Sequence, residues 1–196
     1  MNISEIIEFT EDKDFEINNN WYLHATSDDS STINKILDEG IKSAYLRNNR
    51  PNHFNGKYYI SLYKHNPMDN GLNMWLVNHP KIVVDDINPL YADRSKLKFR
   101  RMFINTRIPL RTSEWDGEYQ QYLMIEPSKF VSIGYDLANI FKDIEDTMEN
   151  LIRLKNKLQL LKDVILYMEE INKQLPIYDF STKKEINKEK VLSLHI

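Results

Sequence analysis

Three groups of residues in this chain are of types that do chemistry together. His24 lies in Trp21-Tyr22-Leu23-His24-Ala25-Thr26. Tyr59, Ser61 and Tyr63 lie in Lys57-Tyr58-Tyr59-Ile60-Ser61-Leu62-Tyr63, and Glu118 follows Asp116-Gly117 and opens Glu118-Tyr119-Gln120. A carboxylate can take a proton or stabilise positive charge as it develops on a substrate. Neutral imidazole supplies a hydrogen bond without a permanent charge, and a tyrosine ring supplies a face for stacking. Brought into one cleft, these groups would make a small-molecule site. The histidines (His24, His53, His65, His79, His195) are scattered, no His-x-x-x-His pair or Gly-rich phosphate loop occurs, and there is no cysteine. No metal centre is therefore expected, and thiolate catalysis, disulfides and cysteine-based zinc sites are excluded.

The elements that must position these residues read from the pattern as α+β. Trp21–Ala25 is aromatic and apolar and predicts a strand. Ser30 or Ser31 can cap a helix with the face Ile33, Ile36 and Leu37, which Gly40 is placed to end. The Asn55-Gly56 turn leads into a strand over Lys57–Tyr63. Further strands are predicted at Lys81–Asp85, Phe99–Ile104, Glu118–Ile125 and Val131–Tyr135. One helix followed by several strands is α+β rather than alternating α/β. Strand alternation puts Tyr22, His24 and Thr26 on one face. By the same rule Tyr59, Ser61 and Tyr63 share a face opposite Tyr58, Ile60 and Leu62, and Glu118, Gln120 and Tyr122 fall together. A half-exposed antiparallel sheet shows this alternation with no site at all.

Of the 196 residues, 41% are hydrophobic and 28% charged, with net charge −3. That suits one globular domain with a real core and is too balanced to name a partner. No apolar run approaches the roughly 20 residues of a membrane span. Residues 1–5 have neither a basic nor an apolar signal region, so a cytoplasmic protein is expected. Charge is locally uneven: residues 1–20 hold six acids and one lysine, whereas residues 93–111 hold seven basic residues and one acid. The basic stretch is either a solvated hairpin or a surface that meets phosphate groups.

The chain divides into an acidic lead-in over 1–20, a domain over 21–136, a helical stretch over 137–175 and a polar tail over 176–196. Residues 137–175 hold neither Gly nor Pro. Leu154, Leu158, Leu161, Ile165 and Met168 continue a heptad stripe that begins at Phe141. An unbroken helix of that length would be about 58 Å long. It is therefore expected either to fold into a hairpin near Arg153–Asn156 or to project as a coiled-coil-like appendage that binds a partner or a second copy. The alternative is packing against the domain's own sheet.

Residues 21–135 resemble the ADP-ribosyltransferase superfamily. Tyr22-Leu23-His24-Ala25-Thr26-Ser27, followed by the helix ending Ile36-Leu37-Asp38-Glu39-Gly40-Ile41, is similar to the strand with a His-Gly-Thr-like motif that opens such domains. Gly56-Lys57-Tyr58-Tyr59-Ile60-Ser61-Leu62 resembles the second motif strand. Asp116-Gly117-Glu118-Tyr119-Gln120 and Ile125-Glu126-Pro127-Ser128 resemble the strand with the catalytic glutamate and its following turn. The closest branch is His-Tyr-Glu, since no Arg stands beside His24. Ala25 departs from the usual Gly, and Asp116, two before Glu118, stands where the other branch carries Gln or Glu.

The resemblance implies a split, mostly antiparallel sheet and NAD as co-substrate, with no metal. It implies that Glu118 is catalytic, that His24 bonds a ribose hydroxyl and that Thr26 holds the adenosine side. Tyr59 would stack on nicotinamide, with Tyr58 as substitute and Tyr63 as a second wall. Ser61 would serve if the chain followed the Arg-Ser-Glu branch. The implied activity is mono-ADP-ribosyl transfer to a protein or nucleic acid, as in toxins and defence effectors. An RNA 2′-phosphotransferase of the same superfamily and a non-enzymatic NAD- or partner-binding module are the alternatives.

Overall fold

The computed structural model describes residues 9–48, 58–64, 79–91, 118–135, 148–180 and 182–194. Its strands are β1 (Thr10–Asp14), β2 (Tyr22–Ala25), β3 (Ile41–Lys42), β4 (Tyr59–Lys64), β5 (Lys81–Val84), β6 (Leu90–Tyr91), β7 (Glu118–Tyr122), β8 (Met124–Ile125), β9 (Phe130–Tyr135), β10 (Ile177–Asp179) and β11 (Lys184–Ile186). Its helices are α1 (Ser30–Glu39), α2 (Met148–Glu170) and α3 (Lys188–Leu192). Among the described residues, nine strands form one sheet in the order β1-β11-β10-β9-β5-β2-β4-β7-β6, and β3 pairs with β8 separately. The pairs are antiparallel except β9 with β10. Parallel neighbours need a long crossover, and the stretch that contains α2 supplies it. The class is α+β, as the pattern predicts.

Local signals explain the element ends. Asp29, not Ser30 or Ser31, caps α1. Its carboxylate accepts from the Thr32 N–H at 3.1 Å and from the Ser31 hydroxyl. The Ser31 bond, then those from Thr32, hold that carboxyl below the usual range. Gly40 ends the helix at φ +82°, its N–H donating to the Ile36 carbonyl. A Cβ there would lie 2.4 Å from the Ile125 carbonyl oxygen, so both conformation and space call for glycine. The strand predicted over Glu118–Ile125 is two strands. Leu123, at φ 57°, breaks it; its N–H donates to the Tyr58 carbonyl and its own carbonyl accepts from Ser43. The chain thereby leaves β4 and pairs with β3. The strand predicted at Phe99–Ile104 lies outside the described residues.

One face of the sheet carries the main core. Ile60, Leu62, Ile82, Val84 and Ile133 pack with Ile33 and Leu37 of α1 and Leu158, Leu161 and Ile165 of α2. The long helix therefore differs from its expected form. It runs through Arg153–Asn156 without a break, and its stripe from Leu158 to Met168 is buried in the core of its own chain. Its 23 residues span about 35 Å. The coiled-coil seam expected from the heptad spacing is, over this half, a helix-on-sheet contact, which shows the same spacing.

The lead-in and the polar tail are likewise part of the sheet. β1 pairs with β11, and β10 pairs with both β9 and β11. Ile177, Tyr178 and Asp179 are all buried. The Asp179 carboxylate accepts from the Thr182 N–H and hydroxyl, which turns the chain into β11. Short strands with Lys and Glu at their exposed positions read as tail because too few residues show an alternation. Among the described residues no helix is long and apolar enough to cross a membrane.

Candidate functional site

The strands that carry the three groups are consecutive neighbours in the sheet: β2, β4 and β7. In the β4–β7 ladder Tyr59 faces Tyr122, Ser61 faces Gln120 and Tyr63 faces Glu118. Residues opposite one another in an antiparallel pair share a face. Alternation and register together thus gather Tyr59, Ser61 and Tyr63 on the same sheet face as Gln120 and Tyr122, with Glu118 at the corresponding register position. Tyr59, Ser61 and Tyr63 are half-buried. Leu90 of β6 stands opposite Gln120 in the same rung.

Within the ladder the carboxylate position pairs with Tyr63, not Tyr59. Four strand steps separate those tyrosines, about 13 Å at roughly 3.3 Å per residue. Tyr59 instead meets Tyr122, with ring centroids 5.5 Å apart and planes at 62°. The ring opposite the Glu118 position in the ladder is therefore that of Tyr63, which the sequence reading has only as a second wall behind Tyr59 and Tyr58.

His24 belongs to the other face. Its register partner in β5 is Ile82, and the β2–β4 pairing is limited to Tyr22 with Lys64 and Leu23 with Tyr63. That register puts Leu23, not His24, on the face of Tyr63. Beyond Leu23 the two strands part, and the imidazole bridges the fork: Nδ1 lies 3.0 Å from the Ser61 carbonyl oxygen. The ring takes a carbonyl that a continued ladder would have paired. Burial pushes the His24 pKa below its usual value. The Ser61 bond opposes this shift, and the charge of Arg47 adds to it. The ring is neutral at pH 7, and because the Ser61 carbonyl is an acceptor, Nδ1 carries the proton.

Thr26 is buried just past β2, its N–H bonded to the Pro80 carbonyl. It is tied to the start of β5 rather than to the ladder. Tyr58, just ahead of β4, packs its ring at 5.0 Å from Tyr45. On the helix-side face Tyr119 is flanked edge-on by Tyr22 and Tyr91 at 5.1 and 5.4 Å, and the Lys64 ammonium lies 4.0 Å over the Tyr22 ring.

One buried group gave no sequence signal. Lys81 is 1% exposed, beside Ala25 and Gly134 in register. Its ammonium donates to the His79 carbonyl at 2.9 Å and sits 4.5 Å from the centre of the Phe180 ring. A lysine after proline at a strand start looks like a surface residue. Only the pairing of β5 between β2 and β9 reveals its burial. Gln120 and Tyr122 were visible to alternation, but their place beside Ser61 and Tyr59 required the register.

Among the described residues no cluster of three or more His, Asp or Glu stands close enough to hold a metal. Comparison with known protein families, with curated proteins and with solved structures finds no match for the chain.

Proposed function

We propose that this chain transfers ADP-ribose from NAD to a macromolecular acceptor, with the β4–β7 ladder as the reacting surface. The observation that carries the reading is the register pair Tyr63–Glu118 on adjacent strands, with the His24 strand next in order. Motifs quoted from three separate stretches of sequence fall on three neighbouring strands, two of them in register on one face and His24 on the other.

In this reading the bond between ribose C1′ and the nicotinamide nitrogen breaks, and nicotinamide leaves as a neutral molecule with the bonding pair. A lone pair of the acceptor forms the new bond at C1′, and the acceptor's proton passes to solvent. Glu118 accepts from the ribose 2′-hydroxyl and stabilises the oxocarbenium-like transition state. Tyr63 stacks on the leaving ring and keeps water from it. His24 acts differently from the role the resemblance implies: bonded to the Ser61 carbonyl, it holds the fork between β2 and β4 and so fixes the start of the ladder.

The non-enzymatic reading draws support from the same feature, since His24 does not share the ladder's face. The deciding experiment incubates the purified chain with labelled NAD, with and without lysate, beside Glu118→Ala. Label on a macromolecule that the substitution abolishes supports transfer. Nicotinamide release without transfer makes the chain a glycohydrolase, and no turnover in either preparation removes the enzyme reading.

A further inference from the structure

The ladder has a second aromatic position, far from Glu118, whose composition suits a particular ligand. Tyr122 lies opposite Tyr59 in register and is 54% exposed. A ring with more than half its surface in water adds little to core packing. Held at 62° to Tyr59 with centroids 5.5 Å apart, it forms an open corner: a flat ligand ring can lie on one tyrosine while its edge meets the other, the two arrangements aromatic rings prefer.

The next rung on the same face is Ser61–Gln120. A glutamine carboxamide presents a donor and an acceptor side by side, the pattern that pairs bidentately with the amino group and ring nitrogen of adenine. Leu90, 68% exposed, neighbours Gln120 in that rung and adds an apolar wall. The corner therefore combines a stacking surface, a matched hydrogen-bonding edge and an apolar side, all on described strands. Its Tyr59–Tyr122 pair lies about 13 Å along the strands from the Tyr63–Glu118 pair, with the Ser61–Gln120 rung between them, a span that a dinucleotide bridges and a single nucleotide does not.

We infer that Tyr59, Tyr122 and Gln120 form a subsite for a purine nucleotide, the adenosine half of the dinucleotide whose other half meets Tyr63 and Glu118. The dinucleotide part rests on the function proposed above; the purine part stands on the corner alone.

The test titrates adenosine monophosphate and, separately, nicotinamide mononucleotide into the full chain by calorimetry. It compares wild type, Tyr122→Ala, Tyr122→Phe and Gln120→Leu, with thermal midpoints confirming that each variant is folded. Tyr122→Ala should weaken adenosine monophosphate about ten-fold, the loss expected for one stacked base. Tyr122→Phe should retain most of the affinity, and nicotinamide mononucleotide should bind all variants alike. Equal binding of adenosine monophosphate to wild type and Tyr122→Ala, or none to wild type, overturns the subsite. Nicotinamide release from NAD is followed in parallel, so that the two proposals fail separately. Turnover without an effect of Tyr122→Ala on KM removes the subsite and leaves the transfer reading standing. Purine binding through Tyr122 with no turnover supports the subsite as a nucleotide site and removes the transfer reading.

Discussion

The two faces of the central sheet obey different rules. On the helix side, β4 and β5 contribute Ile60, Leu62, Ile82 and Val84, all buried, and α1 and α2 cover them with Ile33, Leu37, Leu161 and Ile165. On the opposite side the same strand β4 shows Tyr59, Ser61 and Tyr63, half-buried, against Gln120 and Tyr122. Over β4 and β7 the first face is closed by helices, whereas the second presents hydrogen-bonding and stacking groups; further along the sheet, that second face has a smaller core of its own in Leu23, Val83 and Tyr178. One strand serves both because successive side chains point opposite ways. The difference teaches that the β4–β7 rungs can be varied at little cost to the core behind them. Histidine 24 is where the two sides meet, its ring on the core side and its bond on the ladder strand's backbone.

Breaking the comparison most strongly means emptying the core face. Leu161→Ala removes a fully buried side chain between α2 and the sheet and should cost about 2–5 kcal/mol, read as a lowered urea midpoint. Ser61→Ala on the ladder side of β4 should cost far less in the same measurement. Equal losses would mean that the two faces are not energetically distinct.

Gly134→Ala gives the next largest effect. A Cβ there would stand 3.1 Å from Cζ and the hydroxyl oxygen of Tyr178, whose ring is fully buried. Overpacking of this kind costs about 1–3 kcal/mol. A Gly134→Ala, Tyr178→Leu double variant should recover part of the loss, and additive losses would contradict the contact.

Acidification gives the smallest effect and addresses the fork. The folded pKa of His24 lies below its ordinary value of 6.5, so the unfolded chain binds the proton more readily. The contribution of His24 is complete above about pH 6.5 and declines as pH falls from there towards the folded pKa. Urea midpoints of wild type should therefore fall more steeply between pH 7.5 and pH 5.5 than those of His24→Gln. Parallel curves for the two proteins would contradict a buried neutral imidazole.

Much of the fold was legible in the sequence. The strands around His24, Ser61 and Val83, the helix ending at Gly40 and the α+β class follow from period, turn dipeptides and caps. What escaped was of two kinds. Non-local pairing hid the sheet's outer strands: β1, β10 and β11 are three to five residues long and become strands through partners distant in sequence. Register hid the site's arrangement. Alternation groups Glu118, Gln120 and Tyr122, but nothing local says that Tyr63 rather than Tyr59 stands opposite Glu118, or that His24 faces the core. The heptad stripe of α2 is legible as an apolar stripe, but its partner is not: from Leu158 to Met168 it packs on this chain's own sheet and α1, the alternative to an appendage.

The most direct measurement is the rate of nicotinamide release from saturating NAD by wild type, Glu118→Ala, Tyr63→Ala and Tyr59→Ala. The register pair predicts that Glu118→Ala loses at least about a hundred-fold in rate, on the scale of removing one transition-state-stabilising group. It also predicts that Tyr63→Ala lowers the turnover rate more than Tyr59→Ala does. Release that survives Glu118→Ala, or that depends on Tyr59 and not on Tyr63, would contradict the assignment of the β4–β7 ladder as the reacting surface.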